Sequence, residues 1–212
     1  MANRALWIVM LVAVVALFIA FEDGLLQRAG TLTVSEEGVP ADTVLLEWRG
    51  EVAPPMEGMI RKAYRDFRGN KRRFILSLHS PGGLLGEGDR VVRLLRRIAQ
   101  THQLDTVVEA RRTCASMCVP IFLQGETRLA APSSRWMFHE PRAFDIVTDE
   151  AVATDPRETE AMTQRFLQRY FPQAGVREAW LSNVREQMRG RDYWRSGAQL
   201  VDERSGVVTS LM

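Results

Sequence analysis

RFILSLHSPGGLLGEGDRVVRLLRRIA, residues 73–99, is the stretch whose reading decides the fold. Arg73–His79 is an apolar run of strand length, S-P-G-G at 80–83 breaks it, and Asp89–Ala99 spaces its apolar side chains as an amphipathic helix does. The same alternation extends in both directions. Upstream, Thr43–Arg49 (TVLLEWR) reads as a strand and Met56–Phe67 as a helix; downstream, Thr106–Ala110 reads as a strand that enters a small-residue turn and an apolar stretch from Met117 to Leu123. A further strand is predicted at Arg135–His139, and the charged stretch from Asp149 to Tyr170 reads as a helix interrupted by Pro172. Short strands separated by helices predict an α/β fold with right-handed crossovers and a mostly parallel sheet.

The chain has 212 residues, which suits one domain plus an appendage, since single cores hold about 100 to 200 residues. Hydrophobic residues at 46% and charged residues at 25% are globular usage, which excludes a disordered, collagen-like or disulfide-scaffold chain. A net charge of +2, from 28 basic and 26 acidic side chains, provides no field that would draw the protein onto nucleic acid. Two cysteines, Cys114 and Cys118, are too few for a zinc site made of thiolates alone, and no metal or cofactor is called for.

The appendage is amino-terminal. Ala5 to Phe21 (ALWIVMLVAVVALFIAF) is seventeen residues without a charge, bounded by Arg4 and by Glu22-Asp23. A cleavable signal peptide shares the basic start and apolar run, but this run is longer than a usual signal core and no small-x-small cleavage site follows it. The expectation is therefore one transmembrane signal anchor over residues 1–22, with its amino terminus in the cytoplasm by the positive-inside rule and the domain on the periplasmic or extracytoplasmic side. Residues 23–42 mix Gly, Ser, Thr and acids without periodicity and read as a linker, leaving 43–212 as the folded domain.

Three turns carry candidate chemistry. The two glycines of Ser80-Pro81-Gly82-Gly83 allow backbone conformations closed to other residues, and exposed N–H groups there can stabilise an oxyanion; a plain connecting turn is the bland alternative. Ser116, in Thr113-Cys114-Ala115-Ser116-Met117-Cys118, sits where a strand enters an apolar helix, a placement that suits a nucleophile as well as an ordinary N-cap. His139 ends the strand Arg135–His139 and could serve as a general base or as a buried core residue, while His79 and His102 read as structural. All three turns lie at strand ends of what reads as one sheet, so they would converge on the crevice where such sheets bind ligands.

From about Thr43 to the carboxyl terminus, these residues resemble the proteolytic subunit of the Clp protease, within the wider crotonase-like superfamily. S-P-G-G at 80–83 resembles that family's oxyanion turn, A-S-M at 115–117 its nucleophile motif with Gly125 closing the helix at the family's spacing, and P-S-S-R-W-M-F-H at 132–139 its base-histidine motif. The resemblance implies a βαβ superhelix and a serine peptidase in which Ser116 attacks, His139 takes its proton, and the amides of Gly83 and Met117 hold the oxyanion. The family's acid falls one turn before an Arg-Asp pair that matches Arg191-Asp192, on Met188. Either Asp192 or Glu186 then supplies the carboxylate after a local shift, or the site works as a dyad. Two further departures concern assembly and reach. The connection from Gly125 to Pro132 is two residues shorter than the family's. The segment from Glu140 to Arg165, which in the family joins two rings, lacks its glycine-rich start, so a homo-oligomer remains compatible with the sequence but stacked rings are not expected.

An extracytoplasmic domain would meet no cytoplasmic ATPase partner, which limits the expected substrates to short peptides or unfolded proteins. Cys114 and Cys118 flank the serine and are either two small buried side chains or a disulfide across the nucleophile turn, which requires α-carbons within about 7 Å. Three other functions are weighed against the peptidase. A signal-peptide-peptidase mechanism needs a lysine base, and no lysine follows Lys71. An acyl-CoA enzyme is disfavoured because such thioesters are cytoplasmic. A catalytically weak or inactive protein that binds peptides or scaffolds a membrane complex is the remaining alternative, and Met188 at the acid position is its support.

Overall fold

The computed structural model describes residues 30–144, 151–152 and 155–212. The expected anchor over 1–22 lies outside the described residues, among which no helix is long and apolar enough to cross a membrane. The strand-turn-helix units are present where the periodicity places them. Strand β2 (Thr43–Arg49), helix α1 (Met56–Phe67) and strand β3 (Arg73–His79) have the boundaries read from the sequence. Helix α2 (Leu85–Ala99) begins four residues before the predicted start, because Gly86 and Gly88 hide its first turn from a propensity reading. Gly88 is there for packing: a Cβ on it would lie 2.3 Å from the Met117 side chain.

One sheet of six strands has the order β1-β2-β3-β4-β6-β11, with β4 at Gln103–Val108, β6 at Arg128–Ala130 and β11 at Ser210–Leu211. All its neighbours from β2 onward pair in parallel. The edge strand β1 (Thr31–Ser35) pairs antiparallel with β2, Thr31 opposite Arg49 and Ser35 opposite Leu45. That strand falls within the linker expected over 23–42, of which residues 30–42 are described. Its sequence, TLTVS, keeps only Leu32 against the core, which is the polar composition that a half-solvated edge strand carries and that a tether also carries. A second sheet of three strands has the order β10-β7-β5, with β5 at Thr113–Ala115, β7 at Arg135–Phe138 and β10 at Tyr193–Ser196. The two sheets enclose one continuous apolar core, in which Trp48, Phe74, Phe122 and Trp136 are buried.

Helix α1 has no side-chain N-cap of its own; the buried carboxylate of Glu87, on α2, accepts from the Glu57 N–H at 2.7 Å. Short helix α3 (Cys118–Phe122) is wholly buried, as its apolar sequence requires. The antiparallel pair β8 (Ala143–Phe144) and β9 (Ala151–Val152) precedes helix α4 (Pro156–Tyr170), which starts at the N-cap Asp155 rather than at Asp149. Beyond Pro172 come helix α5 (Glu178–Gln187), strand β10 and helix α6 (Gly197–Asp202), which is opened by a capping box between Ser196 and Gln199.

The carboxyl-terminal segment is clasped by Arg128. Its guanidinium donates to the carbonyls of Val207 at 2.8 Å, Gly206 at 2.8 Å and Ala174 at 3.0 Å, and burial lowers its pKa from the usual value. Replacing it with methionine leaves these carbonyls without their donor. Arg128→Met is expected to lower the unfolding free energy by about 1.5 to 3 kcal/mol in urea titration, and a loss below about 0.5 kcal/mol would show that the clasp contributes little.

Candidate active site

The glycine turn and the serine turn are joined by backbone. Ser80, directly after β3, donates its N–H to the Thr113 carbonyl at 2.8 Å and accepts from the Ala115 N–H at 3.0 Å, so the end of the large sheet is spliced onto β5 of the small one. The three turns therefore stand on two sheets rather than one. On the other side the turn is pinned to residue 52: the Val52 N–H donates to the Gly82 carbonyl at 2.7 Å and the Leu84 N–H to the Val52 carbonyl at 2.8 Å. Both glycines are needed here. Gly82 and Gly83 have φ of 98° and 146°; a Cβ on the first would lie 2.6 Å from the Ser116 Cβ, and one on the second 2.5 Å from the Val52 carbonyl oxygen.

Ser116 occupies the left-handed region, with φ 52°, which is uncommon for a residue that is not glycine. Two backbone hydrogen bonds hold it there: its N–H donates to the Met137 carbonyl on β7 at 2.9 Å, and its carbonyl accepts from the Val119 N–H at 3.0 Å. Parallel pairing of β5 with β7, Ala115 opposite Met137, brings the residues after each strand together. His139 follows β7, and its Nε2 lies 2.7 Å from the Ser116 Oγ. The N–H groups of Gly83 and Met117 donate to no acceptor among the described residues and stay available for a ligand oxygen. Cys114 and Cys118 are joined by a disulfide across the turn, with α-carbons 5.3 Å apart and both side chains fully buried. His79 is structural, its Nδ1 accepting the Thr113 N–H at 3.0 Å, and His102 packs edge-on against Tyr64 and Phe74.

Behind the imidazole the expected acid is missing. His139 Nδ1 is buried and has no hydrogen-bond partner among the described residues. Met188, on which the resemblance placed the acid, is buried in the core, and Glu186 is exposed on the last turn of α5. Asp192 comes closer. Antiparallel pairing sets Tyr193 opposite Phe138, which brings Asp192 beside His139, yet its carboxylate pairs with Arg142 at 3.6 Å instead of accepting from Nδ1. The expectation of a carboxylate bonded to the base, from Asp192 or Glu186, is not met; Ser116 and His139 form a hydrogen-bonded dyad.

Sequence reading also missed Arg142 and Glu140, exposed or half-buried polar residues with no motif to mark them. Glu140 accepts the Gly190 N–H at 2.8 Å, tying the loop after β7 to the one before β10. Burial and then the Arg142 guanidinium push the His139 pKa below its ordinary value, against the opposite pull of the Asp192 carboxylate, the Glu140 backbone and, last, the Glu140 carboxylate. A concavity of ≈ 920 Å³ lies at the opposite, amino-terminal ends of β2 to β4, where Arg73 and Gln103 line it.

The model of the Clp protease family matches residues 63–208. The chain belongs to the Clp protease family. No curated protein matches it. Among solved structures, a ClpP1 mutant from Listeria monocytogenes is similar at 22% sequence identity with a TM-score of 0.60, over 81% of this chain and 91% of that one, a likeness of fold. The βαβ fold expected from the sequence thus holds for this Clp-family chain.

The charges around His139 can be tested one at a time. In ring-proton NMR titrations, Arg142→Gln is expected to raise the His139 pKa and Asp192→Asn to lower it further. Shifts of the opposite sign would contradict this electrostatic description.

Proposed function

We propose that this chain is a membrane-anchored serine peptidase that acts outside the cytoplasm on short or unfolded polypeptides. The observation that carries the reading is the 2.7 Å contact between Ser116 Oγ and His139 Nε2, at a left-handed turn bordered by two free backbone N–H groups. With its pKa lowered by burial, the imidazole is neutral at pH 7 and ready to accept a proton. His139 Nε2 takes the hydroxyl proton as Ser116 Oγ attacks the scissile carbonyl carbon. The amides of Gly83 and Met117 receive the developing oxyanion, and His139 then protonates the leaving amine. Water, deprotonated by the same nitrogen, hydrolyses the acyl-enzyme.

With no carboxylate bonded to Nδ1, the imidazolium is stabilised by the charge of Asp192 and by the backbone and carboxylate of Glu140. Asp192 and Arg142 are 44% and 58% exposed, so solvent screens that contribution and the dyad is expected to be slower than a full triad. Family membership supports a homo-oligomer as the working assembly. The placement outside the cytoplasm rests on the charge-free run Ala5–Phe21, and the Cys114–Cys118 disulfide supports it because such bonds persist in oxidising compartments. A second reading, a peptide-binding or scaffolding protein without turnover, is favoured by the bare Nδ1 and by Met188 at the acid position.

A fluorophosphonate probe separates the two. The peptidase reading predicts a Ser116-dependent adduct whose formation rate rises with pH and levels off below the ordinary histidine range, with both adduct and peptide hydrolysis lost by about 10³-fold or more in Ser116→Ala. No adduct with the full-length chain, or an adduct that survives Ser116→Ala, would support the binding protein.

A further inference from the structure

Three residues separate Cys114 from Cys118, Ala115, Ser116 and Met117, and two of them carry the proposed chemistry: Ser116 with its hydroxyl and Met117 with its free N–H. Both ends of the bridge are fixed. Cys114 lies in β5 opposite Trp136, next to the backbone splice at Ser80, and Cys118 is the first residue of the buried helix α3. Between these ends the chain adopts the left-handed conformation at Ser116. Such a conformation persists in a residue with a Cβ only where its surroundings over-determine it. The surroundings here are the Met137 and Val119 hydrogen bonds, the bare face of Gly82 against the Ser116 Cβ, and the sulfur bridge under the turn. The loop it closes is short, so restriction of the unfolded chain is at the low end for a disulfide and global stability is not its main effect.

We propose that the Cys114–Cys118 disulfide is a positioning element for the nucleophile: it holds Ser116 in the left-handed turn, aligned with His139 Nε2 and with the Met117 N–H. Opening the bridge lets the turn relax toward ordinary backbone angles, which separates Oγ from its base while leaving the two sheets folded. The proposal rests on the reading of Ser116 as the attacking group. It adds that this chain reaches full reactivity only with the bridge closed, a condition an oxidising compartment supplies. Reduction proceeds by exchange with a small dithiol: two electrons and two protons pass to the cysteines, and the dithiol closes to its own cyclic disulfide.

The test uses the full-length chain in three forms: oxidised, reduced with a dithiol and counted for free thiols by mass, and carrying Cys114→Ala with Cys118→Ala. Fluorophosphonate labelling is expected to slow by about 10²-fold in the last two forms, as misplacing a reacting group does, with kcat for a peptide falling and KM little changed, and reoxidation is expected to restore the reduced form. Amide hydrogen exchange gives a readout independent of activity: the Ser116 N–H is expected to exchange faster in both bridge-free forms while the amides of β3 keep their protection. The reduced form retains every side-chain atom, so it decides the matter if the double variant does not fold. Equal labelling in all forms, or unchanged Ser116 exchange, overturns the positioning role and leaves the peptidase reading standing. Absence of labelling in the oxidised form defeats the peptidase reading, and the exchange data alone then decide whether the bridge holds the turn.

Discussion

The backbone pairing of Ser80 with Thr113 and Ala115 is the constraint on which the rest of the site depends. It fastens the end of β3, in the large parallel sheet, to β5 of the small one. Without this splice the glycine turn and the serine turn would belong to separate layers with no fixed relation. With it, Gly82 is held against Ser116 so closely that no side chain fits between them. Ser80 is fully buried and its Oγ accepts the N–H of the buried Gly82 at 3.1 Å, which satisfies a donor that water does not reach, while Gly83 stays exposed.

The second half of the site follows from register. Parallel pairing of β5 with β7 delivers His139 to Ser116, and antiparallel pairing of β10 with β7 delivers Asp192 to the far side of His139. Two of the three groups then meet and the third is diverted by Arg142. The imidazole is left under two opposed influences, desolvation with a nearby cation on one side and two carboxylates with the Glu140 backbone on the other, and desolvation is the largest of them. A neutral base at physiological pH is the outcome. Its cost is an imidazolium with weaker support during turnover.

Strong periodicity explains what could be read in advance. TVLLEWR and RFILSLH are buried strands of the large sheet, and their apolar runs leave no other reading. Polar TLTVS carries no such signal, and the short strands β6, β10 and β11 are held by tertiary contacts such as the Arg128 clasp rather than by local preference. In the site, Ser116, His139 and the glycines were marked by motifs, since each needs a particular residue type at a particular bend. The acid was not legible, because whether Asp192 turns toward Nδ1 or toward Arg142 depends on side-chain orientation across two strands. The cysteines were legible as a pair but not as a bond, since spacing alone does not fix the distance between their α-carbons.

The central claim is that the Ser116 hydroxyl becomes a covalent nucleophile through the His139 imidazole. Rapid-quench mass spectrometry of the full-length chain mixed with an activated peptide ester tests it most directly. The account predicts a transient acyl mass on the fragment that contains Ser116, absent when His139 is replaced by alanine. Ester turnover with no acyl mass at Ser116, or with the same acyl mass after His139 is removed, would contradict it.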